Sequence, residues 1–286
     1  MLSRIDLKSA LRLVEDVTLY LSEKGIEVLV DQEVTNYCKK SEVKSRASAV
    51  EMLKGADMII TIGGDGTILR TIRRLGPPLR ILSVNMGYMG FLCEVEPDEF
   101  KKVLDEVLEE KYKIQRVNLL SAKIGGIEKS LALNEVLTFT SEPAKVLDIT
   151  VKADDVKIFS GRADGVLVAS NIGSTAYVVS LGGPLVDPYV QCLIVVVLNP
   201  LRLGVRPIIL PANSKVEILL SRQGSRKAFV YADGVLVDRI DRSKTVEVSM
   251  STLYVDFIRV KDVKSSFYKK FYEVRIRGGK EDYREA

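Results

Sequence analysis

Residues 58–67 read Met-Ile-Ile-Thr-Ile-Gly-Gly-Asp-Gly-Thr, and this stretch decides the fold of the first part of the chain. Its first half, Met58 to Ile62, is a nearly continuous apolar run, which is typical of a central parallel strand buried on both faces. A helical pattern over Ile68 to Arg74 follows the glycines and is closed by Gly76 and Pro77. A strand, a glycine-rich turn and a helix in succession predict part of a doubly wound, Rossmann-like parallel sheet.

The segments around this stretch alternate between helix and strand patterns. Apolar residues at helical spacing predict a helix over Leu11 to Lys24 that ends at Gly25. The other elements predicted here are a strand, a helix and a strand, at Ile26–Val30, Lys44–Lys54 and Ile81–Val84. No clear strand precedes the first helix, so either the first strand is absent or the natural start lies further upstream.

The pattern changes from about Tyr112. Short runs rich in β-branched and aromatic residues recur between turn signals, which predicts a second, all-β domain built as a sandwich or open barrel. The runs are Leu131–Thr140, Lys145–Lys152, Val166–Ala169, Leu193–Leu198, Ile208–Leu210, Lys215–Leu220, Ala228–Ala232, Thr245–Val248 and Tyr254–Val260.

The domain boundary is expected near Glu96-Pro97-Asp98, where a proline and acidic residues open a helix that reaches about Glu110. We therefore expect an α/β domain at residues 1–98 and a β-sandwich domain at residues 99–264. The remaining tail spans residues 265–286, and its return to the first domain is one option.

Composition limits the partners of this 286-residue chain. The net charge is +4, and the basic residues are scattered, which favours neither nucleic acid nor an anionic membrane and suits an anionic small ligand. The longest apolar run, Leu193–Leu198, is too short to span a bilayer, and no signal peptide is evident. The cysteines, Cys38, Cys93 and Cys192, form no CxxC pair, so we expect a reducing, cytoplasmic location.

The chain contains no histidine. This absence removes Ser-His-Asp and Cys-His catalysis, histidine metal sites and histidine acid–base roles together. Proton transfer must then fall to a carboxylate, Lys, Tyr or Cys, and carboxylates are the plainest candidates.

Asp65 lies in the turn between the central strand and its helix. Glycines at the carboxyl end of a parallel strand let the backbone approach a phosphate, and a helix N-terminus offers unpaired N–H groups. A carboxylate in that place suits acceptance of a hydroxyl proton or binding of Mg²⁺, which indicates phosphoryl transfer. The alternative is a structural turn in which Asp65 caps the helix. No Gly-Lys-Ser/Thr follows, so the segment is not a P-loop.

Three further segments are rich in polar residues and glycine. Asn85 to Leu92 follows the next predicted strand. Asn134-Glu135 interrupts an apolar run, so this pair either faces water or contacts a ligand. Arg162 to Pro184 places Gly, Ser and Thr after a buried strand, where they offer backbone donors and hydroxyl groups to a ribose or phosphate.

Together these segments resemble the NAD kinase family. The matching motifs occur in the family's order and approximate spacing, and they cover most of the chain. They are Gly63-Gly64-Asp65-Gly66-Thr67, Asn85-x-Gly87-x-x-Gly90-Phe91-Leu92, Asn134-Glu135, and Asp164-Gly165 followed by Gly173-Ser174-Thr175-Ala176-Tyr177 and Gly182-Gly183-Pro184. The resemblance implies an α/β domain, a C-terminal β-sandwich, a site between them, and a homo-oligomer, either a dimer or a tetramer.

The resemblance also implies a reaction. The 2′-hydroxyl of the adenosine ribose of NAD is phosphorylated to give NADP, with ATP or, in some members, inorganic polyphosphate as the donor. A divalent cation such as Mg²⁺ is expected mainly on the donor phosphates, so no protein residue is assigned as a metal ligand.

Roles for individual residues also follow from the resemblance. Asp65 is implied as the general base, Gly66 as a backbone contact beside it and Phe91 as an aromatic wall of the nucleotide site. The residues implied for the dinucleotide's ribose and amide positions are Asn134, Glu135 and Asp164. The nucleotide-holding loop is implied at Thr175, Ala176, Tyr177 and Ser180, and basic ligand contacts at Arg70, Lys145 and Arg162.

Two alternatives stay open from the sequence. One is a lipid or sugar kinase of the wider superfamily that shares the Gly-Gly-Asp-Gly core, against which Asn134-Glu135 and Gly173 to Tyr177 argue. The other is a non-catalytic NAD(P) sensor, for which the retained Asp65 has no use.

Overall fold

The computed structural model describes residues 1–38, 46–87, 90–142, 144–221 and 226–272. Parts of three predicted segments lie outside the described residues: residues 44–45 of a helix, residues 88–89 of the second glycine-rich turn, and residues 273–286 of the tail.

The described chain contains helices and strands that alternate at first and then become mostly strands. Helices α1 to α7 span Lys8–Glu23, Gln32–Thr35, Ala49–Gly55, Asp65–Leu75, Phe100–Leu108, Tyr177–Ser180 and Val263–Phe271, and a 3₁₀ helix spans Ile172–Thr175. Strands β1 to β17 span Leu2–Ser3, Val30–Asp31, Arg46–Ala47, Ile59–Gly63, Leu79–Asn85, Lys113–Ile124, Ile127–Ala132, Glu135–Thr140, Leu147–Ala153, Val156–Ala163, Gly165–Ser170, Cys192–Leu198, Ile208–Pro211, Lys215–Leu220, Ala228–Ala232, Val235–Ile240 and Val246–Arg259.

The chain divides into two compact units. The first consists of Met1–Val117 together with the described residues from Tyr254 onward, and the second is Asn118–Leu253. Within the residues that the structure describes, no helix is long and apolar enough to cross a membrane.

The first unit is built on a parallel sheet. Its strand order is β1, β4, β5 and the end of β17, where Val255–Phe257 pairs in parallel with Leu79–Ile81. All five residues of β4 are buried, as expected for a central strand with covered faces. The α/β fold predicted for this part of the chain is confirmed.

Helices cover both faces of this sheet. Ile60 and Ile62 belong to one apolar core with residues of α1 and α5, and the Tyr20 and Phe100 rings from these helices meet edge to face at 6.0 Å. Gly63, the residue after Ile62 in the strand, lies against Thr67 of α4. Because side chains alternate along a strand, α4 lies on the opposite face from α1 and α5. The sheet is therefore doubly wound.

Several predicted boundaries in the first unit were wrong. The strand predicted at Ile26–Val30 is reduced to Val30–Asp31, which pairs with Arg46–Ala47. A first strand is present, because Leu2–Ser3 pairs in parallel with β4; a run of two residues is too short to give a periodic signal. The helix predicted from Ile68 begins at Asp65.

The second unit is a β-sandwich. One antiparallel sheet has the order β13-β12-β11-β8-β15-β16, and a second contains β6, β7, β9, β10, β14 and the beginning of β17. A single core contains apolar side chains from both sheets, among them Val136 and Val166 from the first and Ile149 and Ile218 from the second. The predicted all-β fold is therefore confirmed, and it is a sandwich.

Sequence reasoning missed several strands of this unit. Strands β6 and β7, much of β10, and β16 carry many exposed or polar residues, so they lack a continuous apolar run. The single run predicted at Leu131–Thr140 is two strands, and the runs at Thr245–Val248 and Tyr254–Val260 belong to the one strand β17.

Gly25 ends α1 as the sequence predicts. It has a φ of +76°, its N–H donates to the Ser22 carbonyl, and the Ile26 N–H donates to the Leu21 carbonyl, each at 3.0 Å. This is the Schellman arrangement, in which the glycine adopts the left-handed conformation.

We predict that Gly25→Ala lowers the free energy of unfolding by about 1–2 kcal/mol, because a Cβ is unfavourable in the left-handed region. Gly55→Ala is the control, since it has no positive φ and an added Cβ would make only an ordinary 3.8 Å contact with Leu29. That control should stay within about 0.5 kcal/mol of wild type in chemical denaturation. Equal losses in both variants would contradict the assignment.

Candidate active site

Asp65 is the first residue of α4 and directly follows the buried strand β4 and Gly64. The N-cap residue Gly64 provides no side-chain hydrogen bond to the helix, and Gly66 is exposed. The first N–H groups of a helix have no partner within the helix, and its dipole favours anions there. This end of α4 therefore favours an anion, and a phosphate at this place stays a prediction.

The Asp65 carboxylate does not cap its own helix. Oδ2 accepts a hydrogen bond from the Phe91 N–H at 2.9 Å, and Oδ1 accepts one from the Leu92 N–H at 3.1 Å. A Cβ on Gly90 would lie 2.5 Å from Asp65 Oδ1, so only glycine fits there. The carboxylate of Asp65, in the first glycine-rich turn, thus binds the backbone of the second glycine-rich turn, at Phe91 and Leu92.

Burial raises the pKa of the Asp65 carboxyl above its ordinary value. The N–H groups of Leu92 and Phe91 and the ammonium of Lys270 oppose this rise by stabilising the ionised form. A carboxylate is a better proton acceptor when its pKa lies closer to the working pH. The surroundings of Asp65 therefore suit a general base.

Three charged residues that were not predicted from the sequence, Lys270, Arg259 and Glu94, lie beside the loop at residues 90–93 that binds Asp65. Lys270 donates to the Gly90 and Cys93 carbonyls at 2.6 and 2.7 Å. Arg259 donates to the Leu92 carbonyl at 2.8 Å and pairs with the buried Glu94 at 3.2 Å. No local motif marks the two cations, because they come from β17 and α7, about 170 residues further along the chain.

The second unit holds the Asn134-Glu135 pair at the start of β8. The Asp233 carboxylate accepts the N–H groups of Leu133, Asn134 and Glu135 at 2.7, 2.8 and 3.2 Å. Asp233 has a φ of +46° and Gly234 one of +75°, so the two form a tight turn between β15 and β16. Sequence reasoning missed Asp233, although Asp-Gly between two apolar runs signals such a hairpin turn.

Glu135 is a partly buried acid with an unusual environment. Burial, and then the nearby Asp233 carboxylate, raise its pKa to about 7, while the Tyr177 N–H opposes this. Its Oε2 is buried and has no hydrogen-bond partner among the described residues. A buried carboxylate oxygen without a partner is costly, and the role of Glu135 in ligand binding stays a prediction.

The predicted nucleotide loop lies beside this pair. A Cβ on Gly173 would lie 2.2 Å from the Asn134 carbonyl oxygen, so the 3₁₀ helix and β8 can approach only with glycine there. The loop residues Thr175 and Ala176 are partly exposed, and Tyr177 and Ser180 are exposed. The structure therefore brings Asn134, Glu135 and the loop from Thr175 to Ser180 together.

Other predicted site residues are not brought to this cluster. Asp164 accepts from the Asn199 amide at 2.8 Å and adjoins Gly165, which pairs with Phe139, whereas Glu135 pairs with Ala169. The Thr140 N–H donates to the Asp164 carbonyl, so Asp164 and Glu135 are at opposite ends of β8, about 17 Å apart along the strand at about 3.3 Å per residue.

The three basic residues have local partners or face solvent. Arg70 donates to the Ser3 carbonyl at 2.6 Å. Lys145 pairs with Glu142 at 3.1 Å, and Arg162 is exposed on β10. Phe91 contacts the Phe267 ring with the centroids 5.9 Å apart. Their roles in ligand binding stay predictions.

Within the part of the chain that the structure describes, no group of three or more carboxylate or thiol side chains is arranged to hold a metal ion.

Comparison with known proteins assigns both parts of the chain. Residues 1–112 match the family model for the ATP-NAD kinase N-terminal domain, and residues 133–260 match that for the ATP-NAD kinase C-terminal domain. The NAD kinase of Methanothermobacter thermautotrophicus is 36% identical over 279 residues, which cover 97% of this chain and 96% of the relative. That of Methanopyrus kandleri is 38% identical over 277 residues, which cover 96% and 95%.

Solved structures agree. The crystal structure of an NAD kinase from Archaeoglobus fulgidus in complex with ATP aligns with a TM-score of 0.72 at 28% identity, covering 90% of this chain and 93% of that one. A yeast NADH kinase complexed with NADH has the same fold, with a TM-score of 0.85, 21% identity and coverages of 99% and 88%.

The fold and the matched domains define a kinase made of an α/β domain and a β-sandwich domain. The chain belongs to the NAD kinase family. The family predicted from the sequence is confirmed, and the lipid or sugar kinase alternative is not favoured.

We predict that Asp233→Asn lowers the free energy of unfolding by about 1–3 kcal/mol, because an amide cannot accept from all three N–H groups and leaves one unpaired. Asp155→Asn is the matched control: its φ is also positive, at +67°, and it is exposed. That control should stay within about 0.5 kcal/mol of wild type in chemical denaturation. A loss in Asp155→Asn as large as that in Asp233→Asn would contradict the role of the carboxylate.

Glu135 should make stability depend on pH. Its pKa rises from an ordinary value of 4.5 to about 7 in the fold, so between these values the folded state binds more protons than the unfolded state. The free energy of unfolding therefore falls as pH rises through this interval. Glu135→Gln removes this contribution, so the variant should gain stability relative to wild type between pH 4.5 and pH 7. Parallel pH–stability curves would contradict the raised pKa.

Proposed function

We propose that this protein is an NAD kinase that transfers the γ-phosphoryl group of ATP to the 2′-hydroxyl of the adenosine ribose of NAD, giving NADP and ADP. The observation that carries this proposal is the Asp65 carboxylate, held by the N–H groups of Phe91 and Leu92 at the N-terminus of α4. The relatives reported above are named NAD kinases, and the ATP complex of the related kinase supports ATP as the donor.

Asp65 serves as the general base in this proposal. Each carboxylate oxygen accepts one backbone N–H and keeps acceptor capacity for a second donor, here the ribose hydroxyl. The carboxylate takes the hydroxyl proton as the ribose oxygen bonds to the γ-phosphorus and the bond to ADP breaks. Phosphoryl transfer depends on positioning and charge, and two fixed amides supply the positioning of the base.

The N-terminus of α4 contributes to binding of the donor. Exposed Gly66 leaves the backbone accessible, and the helix dipole favours the phosphate charge. A divalent cation, Mg²⁺ in the simplest case, would be held mainly by the phosphates and would offset their charge. Gly66 is thus proposed as a backbone contact rather than as a reacting group.

Residues of the second unit are proposed to bind NAD. The unpartnered Glu135 Oε2 suits a ribose hydroxyl or an amide donor, with Asn134 beside it and Thr175, Ala176, Tyr177 and Ser180 in the adjoining loop. Asp164 lies at the other end of β8 from Glu135. Asp164 is proposed, as the resemblance implies, as a further polar contact to the dinucleotide.

Three finer assignments complete the proposal. Phe91 is proposed as an aromatic wall of the nucleotide site, and Arg70, Lys145 and Arg162 as basic contacts. A cytoplasmic location and a dimeric or tetrameric assembly stay predictions that follow from the cysteine pattern and the family resemblance.

We predict that Asp65→Asn lowers kcat for NADP formation by about 10²–10⁴-fold, as expected for loss of a general base. Binding of NAD, measured by calorimetry, should stay within about twofold. Asp57→Asn is the control, because Asp57 is an exposed aspartate of the same unit. Near-wild-type turnover in Asp65→Asn would refute the role of Asp65 as base.

Acceptor and donor are tested in one set of assays. The purified protein is incubated with Mg²⁺ and ATP, other nucleoside triphosphates or polyphosphate, together with NAD, NADH or a diacylglycerol-type lipid. NADP formed from NAD and ATP supports the proposal. Binding of NAD without product would instead support the non-catalytic sensor, and a phosphorylated lipid would support the wider superfamily.

A further inference from the structure

Lys270 lies in the last turn of α7 and is partly buried. Its ammonium donates to the Gly90 carbonyl at 2.6 Å and to the Cys93 carbonyl at 2.7 Å. No salt bridge joins it to a carboxylate among the described residues. A partly buried lysine that binds two backbone carbonyls fixes the loop between them, because it replaces its lost hydration with these two contacts.

One peptide group connects Lys270 to Asp65. The carbonyl of the Gly90–Phe91 peptide accepts from Lys270, and the N–H of the same peptide donates to Asp65 Oδ2 at 2.9 Å. Hydrogen bonds at the two ends of one amide polarise each other and strengthen both. The position of the ammonium therefore determines both the position and the donor strength of the N–H that holds the carboxylate.

The other cation at this loop has a different role. Arg259 is buried and already satisfied by Glu94 and by the Gln115 side chain at 2.9 Å, so it belongs to the core of the unit. Helix α7 has no fully buried residue. Its described links to the loop at residues 90–93 are Lys270 and the contact between Phe267 and Phe91.

We propose that Lys270 is a positioning residue for the reaction: it holds the loop at residues 90–93 so that the Phe91 and Leu92 N–H groups orient the Asp65 carboxylate. This inference rests on the proposed function, in which Asp65 is the base. Lys270 touches neither the substrate nor the reacting atoms in this scheme, so its loss acts on kcat rather than on the binding of NAD.

The proposal also predicts a change in the pKa of the Asp65 carboxyl, which can be measured independently of kcat. The charged or titratable groups around Asp65 are Lys270 from α7, Arg259 from β17, and Cys93 and Glu94 from the loop. Burial raises the pKa of the Asp65 carboxyl, and the Lys270 ammonium opposes that rise. Removal of this ammonium should therefore raise the pKa of Asp65 further and move the acid limb of the kcat–pH profile to higher pH.

The test compares Lys270→Met, Lys270→Arg and Lys269→Met in the full chain. Lys269 is the matched control, since it precedes Lys270 on α7 and is exposed. We expect Lys270→Met to lower kcat by about 10- to 100-fold, the range for a catalytic group displaced by about 1 Å, with KM for NAD within about twofold. Lys270→Arg should recover most of kcat and the acid limb, and Lys269→Met should match wild type.

A measurement without substrate separates this proposal from the proposed function. The Asp65 carboxyl is titrated by ¹³C NMR in wild type and Lys270→Met, with its signal assigned by the loss in Asp65→Asn. A higher pKa in Lys270→Met supports the coupling even if no NADP is formed, an outcome that would refute only the proposed function. Active wild type with unchanged kcat, acid limb and carboxyl pKa in Lys270→Met would overturn the role of Lys270. Losses of kcat and thermal stability that are as large in Lys270→Arg as in Lys270→Met would also overturn the role of Lys270.

Discussion

The carboxylate of Asp65 is fixed by two backbone N–H groups of a loop that follows the neighbouring strand, and much of the first unit serves this contact. Strand β4 places Asp65 at the carboxyl edge of the sheet, and Gly90 leaves the space its Oδ1 occupies. Cations from β17 and α7 bind the carbonyl side of the same loop. A carboxylate in such a position is oriented yet retains acceptor capacity, which a base requires and a helix cap does not.

The second unit also contains an aspartate that binds backbone N–H groups, but there the contact stabilises a strand end. The Asp233 carboxylate also accepts backbone N–H groups, but it takes three of them and so stabilises the end of β8. Its charge, together with burial as the larger cause, raises the pKa of Glu135 to about 7, and Glu135 Oε2 has no partner among the described residues. The aspartate thus has a structural role, and the neighbouring glutamate is the residue of the pair proposed to bind a ligand. The two acids are adjacent in space, and burial rather than residue type separates their roles.

The sequence predicted those structural features that depend on residues close together in the chain. The run from Met58 through Asp65 specified a buried strand, a turn and a helix, and Gly25 specified a helix end, because each depends on neighbours within a few residues. The contacts of Lys270 with the Gly90 carbonyl and of Asp233 with the Asn134 N–H could not be predicted in this way, since they join residues about 180 and 100 positions apart; the Asp233-Gly234 turn itself has a local signal. The roles of Arg70 and Lys145 came from the resemblance alone, and the structure gives both residues local partners.

Cys93 is a buried cysteine beside the Asp65 carboxylate. Its thiol donates to the Gly63 carbonyl at 3.6 Å, and burial, reinforced by the Asp65 charge, raises the pKa of the thiol well above its usual range. The thiolate is the form that reacts with peroxides and alkylating reagents, so a raised pKa and burial lower the reactivity of this sulfur. The loop that binds the Asp65 carboxylate thus contains a cysteine that is protected from oxidants by burial and by its raised pKa.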